Sequence, residues 1–260
     1  MMSRLNFLAI ACFVALSACQ TSPTGRRQLV LISESQMDSL GDQSFEDLKK
    51  KMPIEKDAAI NGYVKCVADS ITAVLPEKRK WEVVVFKEDS ANAFAVPGGH
   101  IGVHTGLLKV AKTQDQLAAV LGHEVAHVLA EHSRARVSEQ LLTTGVLAVG
   151  GVLAQKDGRD YQLLMAALGL GAQFGITLPN SRAQETEADV MGLDYMARAG
   201  FNPEESVRLW ENMAQASQGA PPEFMSTHPS HGTRIGTLGK YIPKVMPEYR
   251  AAKNRPRCKI

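Results

Sequence analysis

The sequence predicts an α+β fold, mostly helical, with a small three- or four-stranded sheet set beside one buried helix. Three observations predict it. Apolar residues recur at helical spacing over several stretches, Ile60, Val64, Val67 and Ile71 among them. Short β-rich runs between residues 81 and 104 are separated by turn residues. The stretch that opens at Thr113 is apolar over most of its surface, as a helix enclosed by other elements must be. With 260 residues, 45% of them hydrophobic and 22% charged, the chain has enough apolar material for a sizeable core. A mean hydropathy of -0.12 excludes a polytopic membrane protein. A net charge of +2 gives no reason to expect nucleic acid.

In chain order, Arg4 precedes an apolar run of about a dozen residues ending near Leu16, too short to cross a bilayer of about 30 Å. Residues 1–18 therefore read as a signal peptide. The run ends Leu16-Ser17-Ala18-Cys19, which resembles a bacterial lipobox, with Cys19 the acylated residue. Residues 19–40 are then the lipidated Cys and a tether, polar from Gln20 to Gly25, and 41–260 the folded domain, with its core at about 60–245. Gln20 resembles the residue that follows the lipidated Cys in lipoproteins of a Gram-negative outer membrane, so the expected location is that membrane, lipid-anchored and facing the periplasm. Cys66 and Cys258 remain, and two thiols in an oxidising compartment invite a disulfide.

Leu29 to Ser33 reads as extended. A helical pattern follows, is broken by Pro53, and resumes from Ala58 to Leu75 before Pro76 stops it. Trp81–Phe86, Asn92–Val96 and His100–His104 read as strands, the last two joined by Pro97-Gly98-Gly99. Thr113 with Gln116 forms a capping-box pattern for a helix running through His132. Leu141–Leu153 and Leu163–Leu178 are Gly- and Ala-rich apolar runs, read as a buried helical hairpin in preference to a mobile one over the site. Ala183–Ala199 is helical and closed by Gly200, and Asn202-Pro203 starts another helix. The basic tail from Lys253 to Ile260 reads as solvated.

The chemistry centres on His123-Glu124-Val125-Ala126-His127. Four helical residues turn through about 400°, so both imidazoles share one face and reach one Zn²⁺ at about 2.0–2.1 Å. Glu124 projects beside the same ion, where a carboxylate takes a proton from water. A catalytic zinc needs a third protein ligand. A His at 133 is ruled out because Ser133 stands there, and His132, out of register, reads as a surface residue or one lying behind a ligand. Glu185 and Asp189, four apart on a later helix, supply the carboxylate: one ligates and the other accepts a hydrogen bond from a ligand histidine. Spacing alone leaves open which does which. Glu187 lies about 200° round that helix and reads as a solvated charge.

Taken together, these segments resemble a known family. His123–His127, Glu185 with Asp189, Thr227-His228-Pro229 followed by Arg234, and Asn92 to Gly99 resemble the HtpX and CAAX-prenyl-protease-like zinc metallopeptidases (peptidase family M forty-eight), over about residues 60–245. The resemblance implies a zincin-like domain with one Zn²⁺ per chain held by His123, His127 and Glu185. It implies Glu124 as general base, with Asp189 and Arg234 as supports behind the ligands. It places His228 near the metal, stabilising an oxyanion or occupying the water site, with His231 a weaker candidate. It also implies that Asn92, Ala93 and Phe94 offer a strand edge to an extended substrate. The chain looks closest to a short periplasmic lipoprotein branch. On that reading it is a zinc endopeptidase acting on unfolded or misassembled envelope proteins, beside the outer-membrane assembly machinery. The competing reading is a zinc-containing chaperone or assembly factor with little proteolysis.

Overall fold

The computed structural model describes residues 19–144, 159–170, 180–216, 223–228 and 234–260. The signal-peptide reading of 1–18, much of the apolar stretch within 141–178, and His231 lie outside the described residues. The chain begins with a two-stranded hairpin, β1 (Cys19–Thr21) and β2 (Arg27–Leu29). Helices α1 (Glu34–Lys51) and α2 (Ala58–Thr72) follow, then strands β3 (Glu82–Phe86), β4 (Ala93–Val96) and β5 (His100–His104) and a 3-10 turn at Thr105–Lys109. Next come α3 (Gln114–Leu129), α4 (His132–Thr144), α5 (Arg159–Leu168), α6 (Arg182–Arg198), α7 (Glu205–Ala216), α8 (Glu223–Thr227) and α9 (Arg234–Ala251). No described helix is long and apolar enough to cross a membrane.

Helix starts follow local chemistry. Ser33 and Gln36, and Ser181 and Gln184, form reciprocal capping boxes at α1 and α6, and Asp57 accepts from the backbone of Ala59 and Ile60 at α2. Thr113 caps α3 as its sequence predicts, but Gln116 reaches one residue further back, to the Lys112 N–H, so the box is not reciprocal.

The sheet order is β3–β5–β4, with β3 parallel and β4 antiparallel to β5. Alternation along β4 divides the core in two. Ala93 and Ala95 face a cluster built with α2, α3, α6, α7 and α9, while Phe94 and Val96 face a second cluster with α1, α4 and α5. β4 is an edge strand, and α3 packs beside it against α6. The mixed three-stranded sheet next to the buried helix is the predicted arrangement.

Three expectations change. Residues 19–29 are not a loose tether: they pair as β1–β2, and Ser22 and Gln28 are buried. α1 runs across residue 40 with Met37 and Leu40 in the core, so folded structure begins before residue 41. The helix carrying His123 and His127 does not continue through His132. It stops at Leu129, and Glu131 takes φ 56°, a left-handed conformation that non-glycine residues adopt at a cost. The C-terminal tail is mostly exposed, but Cys258 is buried and disulfide-bonded to Cys66 on α2, and Gln114 holds the backbone at Pro256 and Cys258.

That disulfide closes a loop across a sequence separation of 192. Cys66→Ala is expected to cost about 2–5 kcal/mol of stability, read as a lowered Tm. The mobility difference between reduced and non-reduced gels should vanish in the same variant. A Tm and mobility shift unchanged by the substitution would refute the pairing.

Candidate metal centre

α3 and α6 cross at two glycines. A Cβ built on Gly192 would lie 2.8 Å from the His123 backbone nitrogen, and one on Gly122 would lie 2.9 Å from the Gly192 carbonyl oxygen. The backbones therefore meet without intervening side chains. Two turns before Gly192, Glu185 comes level with the histidine pair. His123 and His127 bring their Nε2 atoms to 3.0 Å from each other, and each lies 3.4 Å from a Glu185 carboxylate oxygen. Tetrahedral zinc with nitrogen and oxygen ligands requires donor–donor edges of about 3.3 Å.

His228 adds a fourth donor. Its Nδ1 stands 3.3 Å from His123 Nε2 and 3.0 Å from Glu185 Oε1, so that the four ligand atoms all lie within 4.8 Å of one another, on buried residues. Asn180 Nδ2 donates to the same Nδ1 at 3.2 Å. On the other side of the ring, His228 Nε2 is 3.3 Å from Glu124 Oε1.

The supporting contacts settle what spacing left open. His123 Nδ1 is 2.9 Å from Asp189 Oδ1, so Asp189 takes the N–H behind the ligand and Glu185 faces the cluster. Arg234 donates to Glu185 Oε2 at 2.9 Å and to Asp189, with its guanidinium stacked 3.8 Å over Trp210. One cation thus ties both carboxylates in place. Glu124 Oε1 is buried with no hydrogen-bond partner among the described residues, while the Ala95 N–H on the β4 edge bonds the same carboxylate.

Charge in this enclosure is strongly coupled. Burial pushes the Glu124 carboxyl up, against the pull of His228 and His123. Burial would also raise Glu185, but the imidazoles of His228, His123 and His127 hold it well below the usual carboxylate range. Burial drives His127 well down, toward the neutral imidazole a metal ligand must be. Burial and Arg234 work to lower His123, yet Asp189 and Glu185 outweigh them and raise it to about 9. The nitrogen and carboxylate donors, at these separations, suit zinc.

One residue departs from its sequence reading, and another takes one of the two places its reading left open. Glu187 is not solvated: it is buried, accepting from Ser22, Thr24, Arg26 Nε at 2.7 Å and His132 Nε2 at 3.0 Å. His132 lies behind His127 and not at the surface: it is fully buried, with Nδ1 2.7 Å from His127 Nδ1. In an unbroken helix, residues five apart point about 140° apart; the break at Glu131 brings them together. No glycine or proline marks that break in the sequence. Of the predicted strand edge, Phe94 turns its ring into the core 6.0 Å from Phe86, and Asn92 Nδ2 donates to Glu223, so neither side chain stands open on that edge.

Comparison with known proteins agrees with this geometry. Residues 55–242 match the profile of peptidase family M48, and the chain belongs to that family. It is 36% identical over 185 residues to the mitochondrial metalloendopeptidase OMA1 of Schizosaccharomyces pombe, covering 70% of this chain and 53% of the relative. It is 31% identical over 243 residues to the human OMA1 metalloendopeptidase, covering 87% and 46%. The beta-barrel assembly-enhancing protease of Yersinia pestis is 29% identical over 213 residues, covering 78% and 43%. The chain thus spans about half the length of the curated relatives it matches.

The helix crossing is directly testable. Gly192→Ala should lower stability by about 1–3 kcal/mol and reduce bound zinc, because the atom it meets is backbone. Gly236→Ala on α9 meets nothing within 4 Å and should be neutral or stabilising by up to about 1 kcal/mol. Thermal melts with metal analysis of both proteins decide it; a Gly192→Ala protein as stable and zinc-replete as the parent removes the close approach from the argument.

Proposed function

We propose that this chain is a zinc metalloendopeptidase of a bacterial envelope, cutting misfolded or misassembled periplasmic and outer-membrane proteins. One observation carries the activity: His123, His127 and Glu185 converge within 3.4 Å while Glu124 turns an unbonded, buried carboxylate oxygen alongside them. Zinc held there supplies a Lewis acid that polarises the scissile carbonyl and acidifies water. Glu124 takes the proton of the attacking water and delivers it to the leaving amine. Asp189 and Arg234 hold His123 and Glu185 in register.

Substrate adds as a strand to the free edge of β4. Ala93 and the Ala95 carbonyl are turned that way, because the register with β5 occupies the groups of their neighbours and the Ala95 N–H bonds Glu124. At one end of that edge the Phe224 N–H already bonds the Ala91 carbonyl at 3.3 Å. His228, following α8, stands where the fourth donor sits, so its withdrawal must accompany entry of water and substrate. It then lies beside Glu124, placed to stabilise an oxyanion.

Three features support the envelope assignment. The apolar N-terminal run ends at Cys19 in a lipobox-like sequence, the Cys66–Cys258 disulfide suits an oxidising compartment, and one relative is named for β-barrel assembly. On this reading a lipid on Cys19 anchors the chain to the outer membrane. The four-donor set favours a second reading, a chaperone with closed, structural zinc.

The readings separate in one assay of zinc-loaded protein on casein and on an unfolded β-barrel protein. Glu124→Gln should keep its zinc and lose about 10²–10⁴-fold in turnover. Equal activity in both proteins, or none in either while client aggregation is suppressed, favours the chaperone. His228→Ala should change turnover more than zinc content; loss of the metal would make His228 an obligatory ligand.

A further inference from the structure

Behind His127, on the side away from the cluster, lies a polar chain that neither the ligand set nor the general base uses. His127 Nδ1 meets His132 Nδ1 at 2.7 Å, His132 Nε2 meets Glu187 Oε2 at 3.0 Å, and Glu187 is held by Ser22, Thr24 and Arg26 of the N-terminal hairpin. Arg26 Nη2 donates in turn to Gln28, whose Nε2 donates to the Ala130 carbonyl where α3 ends.

We propose that His132 and Glu187 are positioning residues that fix His127 in the orientation and tautomer needed to ligate zinc, an inference that rests on the metallopeptidase reading of the site. With His132 neutral, the hydrogen-bond logic permits one arrangement. Glu187 receives two hydroxyl donors and a guanidinium N–H and, ionised, only accepts. The ring nitrogen facing it, His132 Nε2, must therefore carry a hydrogen. Neutral His132 then offers a lone pair at Nδ1, and two Nδ1 atoms 2.7 Å apart bond only if His127 Nδ1 carries the hydrogen between them. That leaves the His127 Nε2 lone pair turned toward His123 and Glu185. The reverse tautomer would set His132 Nε2 and the Glu187 carboxylate lone pair to lone pair in a buried space.

The backbone bears the cost of this placement. Glu131 adopts φ 56° immediately before His132, and this turn separates α4 from α3. His123 has a matching but independent support in Asp189. The two ligand histidines are thus steadied from different faces of α6, by Asp189 directly and by Glu187 through a second imidazole.

The test is zinc affinity, measured by competition with a chromophoric chelator in the full-length chain. His132→Leu should bind zinc about 10–100-fold more weakly. His132→Asn, which restores an acceptor near the Nδ1 position, should recover most of that loss. Long-range ¹H–¹⁵N spectra of the zinc-loaded native protein need no variant, and should show His127 protonated at Nδ1 and His132 at Nε2. Native-like affinity in His132→Leu, no gain from Asn over Leu, or a proton on His132 Nδ1 would each overturn the assignment. A native chain that binds no zinc overturns the metallopeptidase reading itself, which distinguishes the two failures.

Discussion

Close packing of α3 against α6 is the constraint on which the site depends. A carboxylate from one helix can share an ion with two imidazoles from another only if the helix axes nearly touch, and the Gly122–Gly192 crossing permits that approach. With bulkier residues at either position, Glu185 would stand off from the histidine pair and leave a carboxylate buried without its partners, at a cost of several kcal/mol. The apolar residues of α2, α7 and α9 packed round this pair keep the enclosure dry, which strengthens every charge interaction inside it.

Enclosure creates a second demand. His123, His127, His228, Glu124, Glu185, Asp189 and Arg234 are all buried. Such a collection is tolerable only if each group answers another. Arg234 answers two carboxylates, Asp189 answers His123, and Ala95 on the sheet edge answers Glu124. The unanswered oxygen of Glu124 is where chemistry is expected, since a group already satisfied has little to offer a reacting water.

The N-terminal hairpin extends this logic beyond the helices. A polar segment that reads as a linker folds back to supply three donors to Glu187, and the left-handed Glu131 turns His132 into the space between Glu187 and His127. The beginning of the described chain is thereby linked through Glu187 and His132 to His127.

Much of this was legible from local pattern. The alternation and turns of residues 81–104 specify a small sheet, the 3.6-residue period specifies the helices, and two histidines four apart on a helix share a face wherever that helix lies. Those statements hold because they concern residues joined by a few rigid bonds. Tertiary structure decided what depends on how elements meet: Glu185 rather than Asp189 toward the cluster, Glu187 inward although about 200° round its helix from Glu185, and Phe94 into the core instead of onto the strand edge. It also decided the end of α3, because the left-handed turn at Glu131 is stabilised by packing and hydrogen bonds from residues distant in sequence. No local signal, neither glycine nor proline, announces it.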